Sequence, residues 1–223
     1  MQPDTSTKNR MYLAVMLLTS AFASNHALAD DGVWYLRAHS GLSQLSDTRG
    51  QTQSIGSIDG KANIELNSGF IAGMALGYRY GPNWAAELSW EYRTNDSQVT
   101  LADGTKFSEG NYASNIFFIN GLYHFTTNTS WEPYAGAGLG WIQEIDVDLE
   151  DSNTELSYSG DGNIKAQLFA GVNYLFNDDW SINSEIRYGD FGNNDLKGEG
   201  IVGNINSVEY KPLTLQLGMS YRF

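Results

Sequence analysis

The sequence predicts an all-β protein, an eight-stranded antiparallel up-and-down transmembrane β-barrel, and three observations lead to this prediction. Apolar and polar residues alternate along eight segments, as expected for strands whose side chains point to opposite faces in turn. Short turns and long polar segments alternate between those eight segments. An aromatic-x-aromatic motif recurs four times at intervals of 45 to 51 residues, and a turn and a tryptophan follow each of the first three copies. The repeat indicates a hairpin unit used several times.

Residues 1–29 have the features of a secretory signal peptide, which leaves 30–223 as the barrel domain. Lys8 and Arg10 precede an apolar run over 11–23, and Ala27 and Ala29 form a small-x-small cleavage motif. The alternative, a membrane anchor, is disfavoured because about 20 apolar residues are needed to span a bilayer as a helix. The chain contains no cysteine, which excludes a disulfide scaffold and thiolate chemistry and fits an exported bacterial protein.

The strands are predicted from the alternation, which is strictest in the last segment. There, Leu213, Leu215 and Leu217 share one face with the aromatic residues that follow. The eight predicted strands are 33–42, 68–80, 84–93, 112–125, 131–143, 164–176, 180–189 and 213–223. The fourth has apolar residues on both faces, and we expect Phe117 and Ile119 to face outward. Four polar segments are predicted to be long loops: 44–67, 94–110, 144–163 and 190–210.

The spacing of aromatic residues indicates a membrane rather than a soluble sandwich. One set lies beside the short turns, and a second lies eight to ten residues further along the same faces. At about 3.3 Å per residue and a tilt of about 40°, this spacing rises roughly 20 to 25 Å, close to the apolar band of an outer-membrane barrel. The predicted girdle residues are Tyr80, Trp84, Trp90, Tyr92, Phe125, Trp131, Trp141, Phe176, Trp180 and Tyr188.

The opposite faces of the strands carry charges of both signs. Charges are costly in hydrocarbon, so they are expected to face the lumen and pair there. The predicted lumen network comprises Arg37, Glu87, Glu91, Arg93, Lys165, Glu185, Arg187 and Arg222, with Glu87, Glu91, Lys165, Glu185 and Arg187 at its centre. The alternative is a pore lining. It is disfavoured because eight strands enclose a space that side chains fill.

Several features together resemble a known family. The segment Pro133-Tyr134-Ala135-Gly136-Ala137-Gly138-Leu139-Gly140, the four hairpins and the terminal Tyr221-Arg222-Phe223 look like the OmpA/OmpX-like (opacity-type) outer membrane β-barrels of Gram-negative bacteria. The resemblance implies an outer-membrane location, with lipid and lipopolysaccharide around the barrel and the long loops outside the cell. It also implies that Tyr221 and Phe223 form the signal read by the barrel-assembly machinery.

The sequence gives little support to a catalytic, metal-binding or nucleic-acid-binding site. His39 and Ser40 are adjacent, so a strand directs them to opposite faces, and the His-x-Ser pattern of outer-membrane lipases is missing. No catalytic residue or cofactor is therefore predicted. The acidic segment 144–163 could bind Ca²⁺, but it lacks the spacing of an EF-hand loop, and we favour a solvated strand extension with no metal site. A net charge of −13 disfavours nucleic acid as a partner.

The functional expectation is a non-enzymatic surface barrel. Its four long loops would contact an unknown extracellular ligand or serve envelope integrity. The alternative is transport, through a narrow porin-like channel or a small-molecule conduit across the outer membrane.

Overall fold

A computed structural model describes residues 32–44, 48–55, 58–151, 154–160, 164–198 and 203–223. The predicted signal peptide and its cleavage motif lie outside these ranges. Val33–Phe223 forms one compact unit. Within the described ranges, no helix is long and apolar enough to cross a membrane. The twelve strands found there are β1 (Gly32–Gln44), β2 (Thr48–Ile55), β3 (Ile58–Tyr80), β4 (Trp84–Thr100), β5 (Lys106–His124), β6 (Trp131–Asp151), β7 (Thr154–Gly160), β8 (Ile164–Leu175), β9 (Trp180–Asp190), β10 (Asn193–Gly198), β11 (Asn204–Glu209) and β12 (Leu213–Arg222).

Eight of these strands form a closed antiparallel ring, which we call the short-turn half. Their order is β1-β12-β9-β8-β6-β5-β4-β3, and pairing of β1 with β3 closes the ring. Closure leaves no free sheet edge, as lipid requires. The all-β antiparallel fold is thus confirmed. The count of eight is not, because the described residues contain four further strands in segments predicted to be loops.

The four additional strands build a second ring, which we call the long-loop half. Here β2, β11, β10 and β7 continue the sheet from β3, and pairing of β6 with β7 closes it. The strands β3 to β6 run through both rings, with lengths of 17 to 23 residues. The predicted loops 44–67, 94–110, 144–163 and 190–210 are therefore largely strand wherever they are described.

The loop prediction was wrong because the hydrophobic pattern inverts between the two halves. On β6, Leu139 and Trp141 face outward, whereas Ile145, Val147 and Leu149 are buried inside. The register shift between Asn115/Glu144 and Ile116/Ile142 inserts one extra residue on β6, and such a bulge changes which face each residue takes. Outward residues of the long-loop half are polar, so the sequence there resembles a loop.

The aromatic repeat corresponds to a ring of contacts between neighbouring hairpins. Each tryptophan packs on the first aromatic residue of the next motif. Ring centroids are 4.9 Å apart for Trp84 and Tyr123, 4.8 Å for Trp131 and Tyr174, and 4.8 Å for Trp180 and Tyr221. Trp34 and Tyr78, 5.0 Å apart, complete the ring across the β1–β3 closure. The first strand therefore supplies the tryptophan that the fourth motif lacks.

Candidate functional site: the barrel interior and its seam

The outer face of the short-turn half is apolar. Leu88, Ile119, Leu168 and Leu217 are each more than half exposed. Eight predicted girdle residues are also exposed, and Trp90 and Tyr92 are half-buried. A soluble monomer rarely exposes so large a contiguous apolar surface, so this face is suited to lipid.

Six charged side chains meet inside the short-turn half, and we call them the central ion cluster. Glu87, Glu91 and Arg93 project from β4, Glu185 and Arg187 from β9, and Arg37 from β1. All six are at most 3% exposed. Three carboxylates and three guanidiniums balance in formal charge, which makes their burial tolerable in a low-dielectric interior.

Glu91 is the carboxylate that joins opposite walls of the lumen. It forms an ion pair with Arg187, and its other oxygen accepts a hydrogen bond from Arg93 Nη2 at 2.6 Å. His39 Nε2 lies 3.6 Å away. Arg93 Nη1 also donates to Thr214 Oγ1 at 2.9 Å, so the contact chain extends to β12.

Glu185 is held by four donors. It accepts hydrogen bonds from Arg187 Nε at 2.9 Å, Tyr134 OH at 2.9 Å and Gln216 Nε2 at 2.7 Å. Arg37 Nη1 approaches it at 3.5 Å. Buried carboxylates need such multiple donors to offset the loss of hydration.

Arg37 lies between Glu87 and Glu185 and contacts both carboxylates. Its Nη2 lies 3.2 Å from Glu87, which also accepts a hydrogen bond from Tyr35 OH at 3.1 Å. Its guanidinium lies 5.7 Å from the ring centroid of Tyr35 and 5.6 Å from that of Tyr134. These distances suit cation–π attraction.

Two of the predicted network residues lie elsewhere. Arg222 belongs to a separate group at the short-turn end of the lumen, where its Nη2 lies 3.7 Å from Glu132. Lys165 takes part in none of the ion pairs found among the described residues of the cluster. A Cβ placed on Gly192 would lie 2.8 Å from its Nζ. Lys165 lies near the end of β8 that is closer to the long-loop half, above the level of the central ion cluster.

The group around Glu132, which we call the mouth cluster, was missed by the sequence reasoning. Arg79 donates two hydrogen bonds to its carboxylate, at 3.0 and 2.7 Å, and Asn173 Nδ2 donates one at 3.2 Å. His124 Nδ1 lies 3.1 Å from it. The alternation along β6 could have identified Glu132 as a lumen residue, because it lies two positions before the lumen-facing Tyr134.

Glycines on the lumen face make room for large side chains. A Cβ on Gly136 would lie 2.3 Å from Phe169, and one on Gly140 would lie 2.5 Å from Phe118. Gly138 similarly accommodates Asn120. The glycine-x-glycine-x-glycine run therefore serves packing within a strand.

The interior of the long-loop half is filled by a cluster of buried apolar side chains, which we call the apolar chamber. Its side chains are at most 6% exposed and sit directly above the central ion cluster. Phe118 and Phe191 form its floor with ring centroids 6.0 Å apart, and Arg187 lies 5.7 Å below the ring of Phe118. The chamber consists of Ala62, Ile64, Val99, Leu101, Phe107, Tyr112, Ile116, Phe118, Ile142, Ile145, Val147, Leu149, Tyr158, Phe191, Leu196, Ile205, Val208 and Tyr210.

The ladders formed by the described residues are interrupted between the two halves, and we call this interval the seam. Above it, Ser159 of β7 pairs with Lys197 of β10. Below it, Ala166 of β8 pairs with Asp190 of β9. Between these pairs, no backbone ladder joins the two edges among the residues that the structure describes. The seam is level with Ile164, which pairs with Trp141 of the upper girdle.

The structure also shows where the residues of the alternative metal and catalytic sites lie. Among the described residues, no group of three or more His, Asp or Glu side chains is arranged to hold a metal ion. Asp148, in the acidic segment, accepts a hydrogen bond from Ser157 at 2.7 Å across the β6–β7 hairpin. His39 is buried in the lumen and Ser40 is exposed on the outside, so the two do not form a catalytic pair.

The closed ring, apolar outer face and charged lumen define a transmembrane β-barrel. The model of the outer membrane protein beta-barrel domain family matches residues 13–223. The chain belongs to this family, and the protein lies in the bacterial outer membrane, in an environment of lipid and lipopolysaccharide.

The chain is also similar to individual outer membrane proteins. The chain is 25% identical to Outer membrane protein W of Escherichia coli over 215 residues, covering 95% of this chain and 96% of the relative. It is 22% identical to Outer membrane protein W of Vibrio cholerae over 170 residues, or 73% and 78% of the two chains. The crystal structure of OprG from Pseudomonas aeruginosa superposes with a TM-score of 0.65 at 17% identity, covering 86% of this chain and 96% of that one. This structural likeness concerns the fold.

Proposed function

We propose that the protein is a conduit for small hydrophobic molecules across the outer membrane. The apolar chamber is the observation that supports this proposal, because a route for apolar solutes needs apolar side chains where the interior of an outer-membrane barrel is usually polar. Outer-membrane barrels place long loops outside and short turns in the periplasm, so the chamber is the half nearer the cell exterior.

The route follows from what lies beneath the chamber. The central ion cluster fills the lumen with six buried charged groups, and moving an apolar solute through it would separate buried ion pairs at a cost of several kcal/mol. The seam lies beside the chamber floor at Phe191, level with the membrane girdle. A hydrophobic solute would therefore leave sideways, through the seam into lipid.

The test measures accumulation of a radiolabelled medium-chain alkane by cells that do or do not make the protein. Faster accumulation with the protein is expected. Val147→Thr with Val208→Thr keeps side-chain volume but adds buried hydroxyl groups, and should slow accumulation. Val172→Thr, on the outer face of β8 with Leu168, is the matched control, and heat-modifiable gel mobility confirms folding of each variant.

Planar-bilayer recordings separate this proposal from an ion channel. The proposal expects no steady conductance, because the central ion cluster closes the axis. Steady channels, or equal alkane accumulation with and without the protein, would contradict it.

A second candidate, presentation of a surface to an extracellular ligand, is favoured by the length of the strands. β6 runs ten residues beyond Trp141, to Asp151, and pairs there with β7. Glu150 and Asp195 are exposed on this half. Binding of intact protein to host-cell surfaces, compared between wild type and Glu150→Gln/Asp195→Asn, tests this role.

We also propose that the barrel-assembly machinery reads Tyr221 and Phe223. Their rings stack 6.3 Å apart on the lipid-facing side and are 40% and 49% exposed, so they are accessible to a partner. Phe223→Ala should reduce the folded fraction in the outer membrane while leaving refolding of the purified chain in detergent unchanged. Loss of both would instead indicate a structural role.

A further inference from the structure

The short-turn end of the lumen has more cationic groups than carboxylates. In the mouth cluster, Arg79 and Arg222 both face one carboxylate, Glu132. Arg79 satisfies that carboxylate with two hydrogen bonds, whereas Arg222 Nη2 stays 3.7 Å from it. The nearby Asp178 lies in the exposed turn between β8 and β9. One positive charge is thus left over inside the barrel end.

A small cavity of about 20 Å³ lies at this end. It is lined by Tyr35, Arg37, Arg79, His124, Asn173, Ser181, Ser220 and Arg222. Each of these side chains can donate hydrogen bonds, and three of them are arginines. The carboxylates of the central ion cluster and of Glu132 do not line it.

Buried donors beside this cavity lack partners. Arg37 is 2% exposed and His124 is 4% exposed. Among the described residues, neither Arg37 Nε nor His124 Nε2 has a hydrogen-bond partner. A buried donor left without an acceptor costs about 1–3 kcal/mol, so an acceptor in the cavity would offset a real penalty.

We propose that this cavity binds a single monoatomic anion of the halide class, with chloride as the physiological ion. About 10–15 Å³ suffices for one water-sized species, so the cavity suits one small ion better than a polyatomic ligand. The surplus positive charge and the predominance of cationic hydrogen-bond donors in the lining favour an anion over water.

The ion would tie together the first and the last strand of the described chain, β1 and β12. Arg37 lies on β1, and Ser220 and Arg222 lie on β12, the strand that pairs with β1. Ser181 on β9 and His124 on β5 add contacts from the other walls. Bound chloride should therefore stabilise the folded barrel.

Crystals of the full barrel grown in sodium bromide test the site directly. An anomalous difference peak for bromide in the cavity supports the proposal. An ordered water there without anomalous signal overturns it.

Urea unfolding in detergent gives a second test, comparing sodium chloride with sodium gluconate at equal ionic strength. At a chloride concentration ten times Kd, the unfolding constant should fall about tenfold. Arg222→Gln should abolish this chloride dependence, while Lys197→Gln, which removes an exposed charge from β10, should retain it. Should Arg222→Gln not fold, Ser181→Ala/Ser220→Ala replaces it. An equal chloride effect in every variant overturns the proposal.

Discussion

Arg187 on β9 reaches across the lumen to pair with Glu91 on β4, a residue 96 positions earlier in the chain. Both side chains are at most 2% exposed. The pair links walls that are not neighbours in the sheet, so it stabilises the barrel in cross-section. Glu91 is also the carboxylate shared with Arg93 and His39.

Glu91→Gln should destabilise the barrel strongly. Neutralising this carboxylate removes the counter-charge of the buried Arg93 and one of the two carboxylates that pair with Arg187, and breaking a buried pair in this way costs about 3–5 kcal/mol. Urea unfolding of the protein in detergent measures the loss. Glu150→Gln, at an exposed position of β6, is the matched control and should change stability by less than about 0.5 kcal/mol. Equal unfolding midpoints for both variants would argue against a structural network.

Gly77→Ala should displace Tyr35 from its hydrogen bond to Glu87. A Cβ at Gly77 would lie 2.0 Å from the Tyr35 ring, and overpacking of this kind costs about 1–3 kcal/mol. Gly121→Ala is the control, because its added Cβ would meet nothing within 4 Å. The unfolding free energies of the two variants provide the comparison, and similar values would show that the lumen yields around Tyr35.

The contact between Trp131 and Tyr174 should show energetic coupling. Aromatic pairs at this distance contribute about 0.5–1.5 kcal/mol beyond burial. A double-mutant cycle of Trp131→Ala and Tyr174→Ala measures it. The same cycle on Trp180 and Tyr123, which lie on strands separated by β6 and β8, should give a coupling near zero. Coupling of equal size in both cycles would mean that the rings act through the bilayer rather than through contact.

Two tyrosines of the apolar chamber should resist ionisation. Burial raises the pKa of Tyr158 and of Tyr210 above the ordinary value of 10.0, because the phenolate is poorly solvated there. Because the pKa of each phenol is raised in the folded protein, the contribution of these two groups to folding stability is fully present below pH 10. It is lost as the pH rises through the pKa values of the folded protein. Absorbance titration near 295 nm should show these two phenols ionising later than exposed ones. Assignment uses Tyr158→Phe and Tyr210→Phe, and ionisation at the ordinary pKa would show that water enters the chamber.

The short-turn half was predictable from sequence because lipid and lumen impose opposite polarity on successive residues. That rule places Glu87, Glu91 and Arg93 on one face and Trp84 and Trp90 on the other without knowledge of any contact. The rule did not determine partners. Arg222 follows the same alternation as Arg187, yet it lies too far along the barrel axis to reach the central ion cluster, and it faces Glu132 instead.

The long-loop half was not predictable in the same way. Its outward residues face water, so its polar composition resembles that of a loop and hides the alternation of apolar residues such as Ile145 and Val147. Only closure of the second ring gives those residues a common interior.

The sequence by itself determined the strand periodicity, the lipid-facing surface and the aromatic repeat, because each depends on positions close together in the chain. The tertiary structure decided which charges pair, where the apolar chamber lies and where the seam interrupts the wall. These features depend on strand register and on contacts across the lumen between residues as distant as Glu91 and Arg187, and local patterns carry no information about such distances.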